Sequence, residues 1–105
     1  MNILLTGAHG FLGQHLVELM ADKIGKINET NNYDGTDLYQ LFTPSSSLMD
    51  CLKYDEIYYY CLYNDINVII HLAAEWGGIG ANQRNPADFF LHNAQMSLNA
   101  LKVAH

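Results

Sequence analysis

Hydrophobic positions along the chain follow two periods that alternate from the N-terminus onward. Residues 2–6 hold a continuous apolar run, Ile3-Leu4-Leu5, which fits a strand covered on both faces. Residues 11–22 place Leu12, Leu16, Val17, Leu19 and Met20 close to the i, i+3, i+4 spacing of an amphipathic helix. Residues 23–36 lose that periodicity and gather asparagine and glycine. They read as a surface-loop insertion, longer than the roughly two to six residues usual between helix and strand. Leu38-Tyr39-Gln40-Leu41-Phe42 predicts a second strand, stopped by Thr43-Pro44 because proline cannot donate into a central ladder. A serine loop, Ser45 to Ser47, leads to a helix over 52–63 with Leu52, Ile57, Tyr60 and Cys61 on overlapping faces. The β-branched run at 67–72 predicts a third strand. Pro86 then suits the first turn of a long helix over 86–105. Strands alternating with helices predict a parallel sheet with right-handed crossovers.

Composition narrows the class. The 105 residues are 50% hydrophobic and 15% charged, as in one small globular domain. A net charge of −6, with five scattered lysines and arginines, argues against a nucleic-acid partner. Two cysteines, Cys51 and Cys61, make neither a disulfide framework nor a metal pattern, and a reducing compartment is the simpler reading. The first apolar run is too short for a membrane span and has no basic lead, so the expected location is cytoplasmic, away from membranes. His9, His15, His71, His92 and His105 show no spacing that suggests a metal, and no serine sits on a strand-to-helix elbow. The Asn28-Glu29-Thr30 sequon reads as a chance match.

The junction of the first strand and helix carries the chemistry. It reads Thr6-Gly7-Ala8-His9-Gly10-Phe11-Leu12-Gly13. Glycine at 7 allows a tight turn, glycine at 10 lets backbone approach a pyrophosphate, and glycine at 13 lets the helix pack close to the strand. A glycine triplet alone is weak, but its place between an apolar strand and an amphipathic helix predicts a dinucleotide site.

The end of the second strand bears on which dinucleotide. Asp34 and Asp37 have roughly the spacing of a carboxylate for the NAD ribose, yet they precede the strand instead of following it. Thr43 and the serines at 45–47 follow it, and their hydroxyls either donate to a 2′-phosphate or form a solvated loop. The expected cofactor is therefore NADP, with NAD as the alternative. Asp50 is open to two roles, acceptor of an adenine amino group or N-cap of the next helix. Ala73-Ala74 ends the third strand with small residues where backbone could lie against a cofactor. Trp76 could wall a pocket or be partly buried core, and the tyrosines at 54, 58, 59, 60 and 63 read as packing.

Together with the glycine loop, the stretch His71-Leu72-Ala73-Ala74-Glu75-Trp76-Gly77-Gly78-Ile79-Gly80-Ala81-Asn82, with Pro86, Phe89, Phe90 and Asn93, resembles the extended short-chain dehydrogenase/reductases. Within them it is similar to the GDP-L-fucose synthase branch, which epimerises and reduces GDP-4-keto-6-deoxymannose. The resemblance implies a partial Rossmann fold: a three-layer α/β/α arrangement with a parallel sheet of three strands and room for a short fourth near 47–50. It implies that residues 1–105 are the N-terminal NAD(P)-binding half-domain. The implied cofactor contacts are Gly7, His9, Gly10, Phe11, Leu12, Gly13, Ser45, Asp50, Cys51, Leu72, Ala73 and Ala74. It further implies a GDP-sugar near Gly77 to Gly80 and a homodimer through the 86–105 helix.

One departure limits the activity. The superfamily moves protons with a tyrosine and a lysine four residues later. Here Lys23, Lys26, Lys53 and Lys102 follow Leu19, Asp22, Met49 and Leu98 at that spacing, so no such pair exists. No catalytic residue is assigned, and the chain alone is expected to be inactive. The rival expectations are a non-catalytic module for a dinucleotide or nucleotide sugar, and a truncated interaction fragment whose 67–72 strand is an open sheet edge.

Overall fold

The computed structural model describes residues 1–34, 38–75, 84 and 86–105. Strand β1 (Asn2–Thr6) lies between β2 (Gln40–Phe42) and β3 (Val68–His71), and both pairings are parallel. Ile3 is in register with Leu41 on one side and with Val68 on the other. This central position explains the unbroken apolar run, since Leu4 and Leu5 are fully buried and Ile3 nearly so. The sheet order is β2-β1-β3.

Among the described residues, three helices cover the sheet: α1 (Phe11–Asp34), α2 (Tyr54–Tyr63) and α3 (Pro86–Ala104). Leu4 points into a core with Met49, Cys51, Ile57 and Met96, which joins β1 to the 43–53 segment, α2 and α3. Phe42, Ile69 and Val103 pack against this cluster. Because side chains alternate along a strand, Ile3 and Leu5 point to the opposite face, completing an α/β/α arrangement with α1.

Two expectations are corrected. Residues 23–34 are not a loop, because α1 runs unbroken for 24 residues to Asp34; positions 35–36 lie outside the described residues. Over residues 11–30 of α1 the covered positions are Gly13, Leu16, Val17, Met20, Ile24 and Asn28, a stripe at steps of one, three or four. The stripe continues past residue 22, but Asn28 in it is polar and makes hydrogen bonds. Asn28 Oδ1 accepts the Tyr39 N–H at 2.7 Å, and its Nδ2 donates to the Tyr39 carbonyl at 2.8 Å. The second correction is the fourth strand. Residues 47–50 form turns, with the amides of Leu48 and Met49 both bonded to the Ser45 carbonyl at 3.0 and 2.9 Å. These local bonds occupy the donors that a ladder would need.

Smaller differences are at the ends. Helix α2 begins at Tyr54 rather than 52, since Lys53 is extended at φ −108° and ψ 104°. Asp50 is therefore not its N-cap. Strand β3 is bounded at 68 and 71, although Asn67 and Leu72 still donate to the carbonyls of Asn2 and Thr6 at 2.8 and 3.2 Å. Among the described residues, no helix is long and apolar enough to cross a membrane.

Candidate cofactor-binding site

The site is built where β1 turns into α1. Gly7 leaves the strand at φ +73°, a conformation L side chains rarely adopt. A Cβ there would lie 2.6 Å from both Ala73 N and Leu72 C, so the turn rests directly on the segment leaving β3. A Cβ at Gly13 would come 2.0 Å from Gly7 O, so the first turn of α1 is pressed against the same turn. Gly10 differs. A Cβ there would meet only Gly7 O, at 3.4 Å, and the fold itself does not require its absence.

The turn is closed by Gly10 N–H donating to Gly7 O at 3.1 Å, and Gln14 N–H donates to Gly10 O at 2.9 Å. The N–H groups of Phe11, Leu12 and Gly13 precede that bond and point out of the helix end. No acidic residue occupies the first turn of α1 to offset its positive pole.

A cavity of about 870 Å³ opens at this helix end. It brings together all the residues chosen from the sequence: Gly7, His9, Gly10, Phe11, Leu12 and Gly13 on one wall, Ser45, Asp50 and Cys51 on another, and Leu72, Ala73 and Ala74 on the third. Phe11 and Leu12 are largely exposed at its mouth, whereas Cys51 is buried in its floor. The tyrosines of α2 do not line it. Trp76 and the glycines at 77, 78 and 80 lie outside the described residues.

A hydrogen-bond hub at Thr6 fixes the floor. Its Oγ1 accepts the Ala73 N–H at 3.2 Å and lies 2.7 Å from His71 Nδ1. With His71 Nδ1–H as donor, the Thr6 hydroxyl proton is free for the Cys51 sulfur, and that bond favours the thiolate. Burial outweighs it, and with the nearby Asp50 carboxylate it pushes the Cys51 thiol above its ordinary range. Burial also lowers the His71 pKa, holding the imidazole neutral, and His71 Nε2 is buried without a hydrogen-bond partner. Thr6 thus ties the ends of β1 and β3 together beneath the glycine turn.

Asp50 Oδ1 accepts the Leu52 N–H at 2.9 Å, a local turn that orients the carboxylate at the cavity wall. At the mouth, Glu75 is held from α3. Its carboxylate is 2.6 Å from His92 Nδ1, and Asn93 accepts the Glu75 N–H at 2.7 Å while donating to its carbonyl at 3.0 Å. Met96 and Glu75 line the cavity and are not predicted from the sequence, nor is Thr6. A buried threonine ending an apolar strand is a signal that could have found Thr6. Glu75 has no local signal, because its partners lie seventeen and eighteen positions away. No lysine or arginine is among the described residues lining the cavity.

A parallel sheet whose central strand breaks at a glycine turn into a long helix defines a Rossmann-like protein. The model of the "NAD dependent epimerase/dehydratase family" matches residues 3–105, and the chain belongs to that family. It is 38% identical over 104 residues to a GDP-L-colitose synthase of Yersinia pseudotuberculosis, covering 99% of this chain and 29% of that protein. It is 27% identical over 99 residues to a GDP-L-fucose synthase of Azorhizobium caulinodans, covering 94% of this chain and 27% of that one. The chain therefore spans under a third of these relatives. Among solved structures, "DdhaC" superposes with a TM-score of 0.77 at 20% identity, over 98% of this chain and 26% of its own. A dTDP-4-dehydrorhamnose reductase from Bacillus anthracis, in complex with NADP, gives a TM-score of 0.61 at 16% identity, over 97% and 32%. At those identities the structures speak for the shared fold.

Proposed function

We propose that the chain is the NADP(H)-binding portion of a nucleotide-sugar epimerase/reductase, with Gly7 to Gly13 cradling the pyrophosphate. The observation that carries this reading is the contrast among the glycines. Gly7 and Gly13 are demanded by backbone contact, but Gly10 is not. Gly10 lines the cavity at the helix end, where a Cβ would meet only Gly7 O at 3.4 Å, so its absence serves an approaching phosphate better than it serves the fold. The free N–H groups and positive pole of α1 suit that anion.

Ser45 and Ser46 follow β2 where a carboxylate would repel a 2′-phosphate, which favours NADP over NAD. Asp50 has lone pairs left beyond its bond to Leu52 and can accept from the adenine amino group. Leu72, Ala73 and Ala74 border the ribose and nicotinamide, and Cys51 closes the floor beneath them. When bound, the cofactor supplies a hydride for a sugar keto carbon. The residues of this chain bind and orient it; no Tyr-x-x-x-Lys pair is present to move a proton. The names of the relatives support a GDP-sugar as substrate of a longer protein, reached through residues 77–80. The exposed Phe90, Leu91, Leu98 and Leu101 on α3 support self-association through that helix.

Isothermal calorimetry with NADP and NAD tests the reading. NADP should bind more tightly than NAD, and Gly10→Asp should abolish binding while the chain stays folded. Full affinity in that variant rejects the glycine turn as the site. NADPH oxidation with GDP-4-keto-6-deoxymannose should be absent, and any enzyme-dependent rate overturns the expectation of binding without turnover.

A further inference from the structure

The helix α2 carries a second constellation, remote from the glycine turn. Its sequence Tyr-Asp-Glu-Ile-Tyr-Tyr-Tyr-Cys-Leu-Tyr buries Ile57 and turns a ladder of rings outward. Tyr54 stacks on Tyr58 at 5.9 Å between ring centroids, Tyr58 meets Tyr59 edge-on at 5.4 Å, and Tyr59 stacks on Tyr63 at 6.0 Å. Core packing does not account for the far end of the ladder, since Tyr59 is 50% exposed and Tyr63 79%. A cavity of about 340 Å³ opens there, lined by Tyr59, Tyr60, Tyr63, Asp55, Glu56 and Leu48 among others.

Two observations specify what this cavity suits. The near end of the ladder already holds a cation, with Lys102 Nζ 4.5 Å from the Tyr54 ring centroid. The carboxylates of Asp55 and Glu56, in the first turn of α2, supply negative charge to the cavity that the exposed Tyr59 and Tyr63 rings also line. Glu56 Oε2 is shielded from solvent without a hydrogen-bond donor, its nearest cation being Lys53 Nζ at 3.8 Å. A planar guanidinium satisfies both features at once, because it stacks on a ring while its N–H fork reaches a carboxylate.

We propose that the cavity between the Tyr59–Tyr63 ring pair and the Asp55 and Glu56 carboxylates is a docking site for an arginine side chain of a partner protein. The Asp55 and Glu56 carboxylates, on a chain of net charge −6, favour a basic segment at this face. The guanidinium lies against the Tyr63 ring and donates to the solvent-facing side of the Glu56 carboxylate and to Asp55, and the arginine stem covers Leu48.

The test uses the 105-residue chain with 13C-labelled tyrosine rings, observed by NMR during titration with N-acetyl-arginine amide. The Tyr59 and Tyr63 signals should shift together with a dissociation constant of about 10 mM, as expected of a single small cation. The citrulline analogue, neutral and of the same shape, should leave them in place. Glu56→Gln and Tyr63→Ala, both at solvent-accessible positions, should each weaken binding about fivefold to tenfold. Equal shifts with citrulline, or unchanged affinity in both variants, overturn the proposal. Tyrosine shifts that grow with protein concentration alone mean that a second copy occupies the cavity, and overturn it as well.

Discussion

Asn28 grips the backbone of Tyr39 with both ends of its side-chain amide, accepting the N–H at 2.7 Å and donating to the carbonyl at 2.8 Å. The amide acts as one extra rung beside β2 and ties α1 to the segment that leads into that strand. Asn28→Ala leaves two partly buried backbone groups without partners, and should lower stability by about 2 kcal/mol. Asn28→Asp keeps the acceptor but sets a carboxylate against the Tyr39 carbonyl, and should be no better. Urea unfolding measures the loss, and hydrogen exchange should show it concentrated in residues 24–34 while β1 stays protected. A change below about 0.5 kcal/mol in Asn28→Ala would mean that α1 is held by its apolar stripe alone.

The three glycines of the turn should separate on substitution by alanine. Gly7→Ala forces a Cβ to within 2.6 Å of backbone at a positive φ, and Gly13→Ala forces one to within 2.0 Å. Each should cost more than about 3 kcal/mol or prevent folding. Gly10→Ala, whose nearest obstacle is Gly7 O at 3.4 Å, should stay within about 1 kcal/mol of the parent in thermal unfolding. The same variant should weaken NADP binding. Loss of stability at 10 equal to that at 7 would remove the distinction between glycines kept for the fold and the one kept for a ligand.

Sequence and structure agree where a pattern has one physical meaning. Ile3-Leu4-Leu5 followed by glycine specifies a central strand and a close turn, and both form as read. The second half of α1 was not legible for the opposite reason. Asn28, Asn31 and Asn32 lower helix propensity, and the bonds that override it run from Asn28 to a residue eleven positions on. The fourth strand expected near 47–50 fails similarly: the amides of Leu48 and Met49 bond locally to Ser45, and Met49 turns into the core while Leu48 stays 64% exposed. The candidate cavity was legible along its glycine, serine and alanine edges. Its floor, where Thr6 joins His71, Ala73 and Cys51, depends on strand register and so lay beyond any local pattern.

The core on the α2 side should respond to truncation far more than the outer face of the same helix. Ile57 is 0% exposed and packs with Leu4, Met49, Cys51 and Met96. Ile57→Ala removes buried methyl groups and leaves a cavity, and should cost about 3 kcal/mol. Leu62 lies on the same helix with 55% of its surface exposed, and Leu62→Ala should change stability by less than about 1 kcal/mol. Chemical denaturation of the pair measures the contrast, and a Leu62→Ala effect as large as that of Ile57→Ala would assign that outer face to an interface.

Stability should also vary with pH on both sides of neutrality. Burial lowers the His71 pKa from its ordinary value of 6.5, so the unfolded chain takes up a proton that the folded chain resists. Stability contributed by the neutral imidazole is therefore full above about pH 6.5, falls with pH below it, and levels off once pH passes below the folded pKa. Burial raises the Cys51 and Cys61 pKa values above 9.0, with Asp50 adding to the rise at Cys51. Here the unfolded chain loses protons first, so stability falls as pH climbs through about 9 and levels off above the folded values. Urea midpoints from pH 5 to pH 10 should accordingly trace a plateau with two falling flanks. His71→Gln should flatten the acid flank and leave the alkaline one, whereas Cys51→Ala should reduce only the alkaline one. An acid flank unchanged in His71→Gln would assign it to carboxylates instead, and would remove His71 as the buried imidazole that titrates beneath the glycine turn.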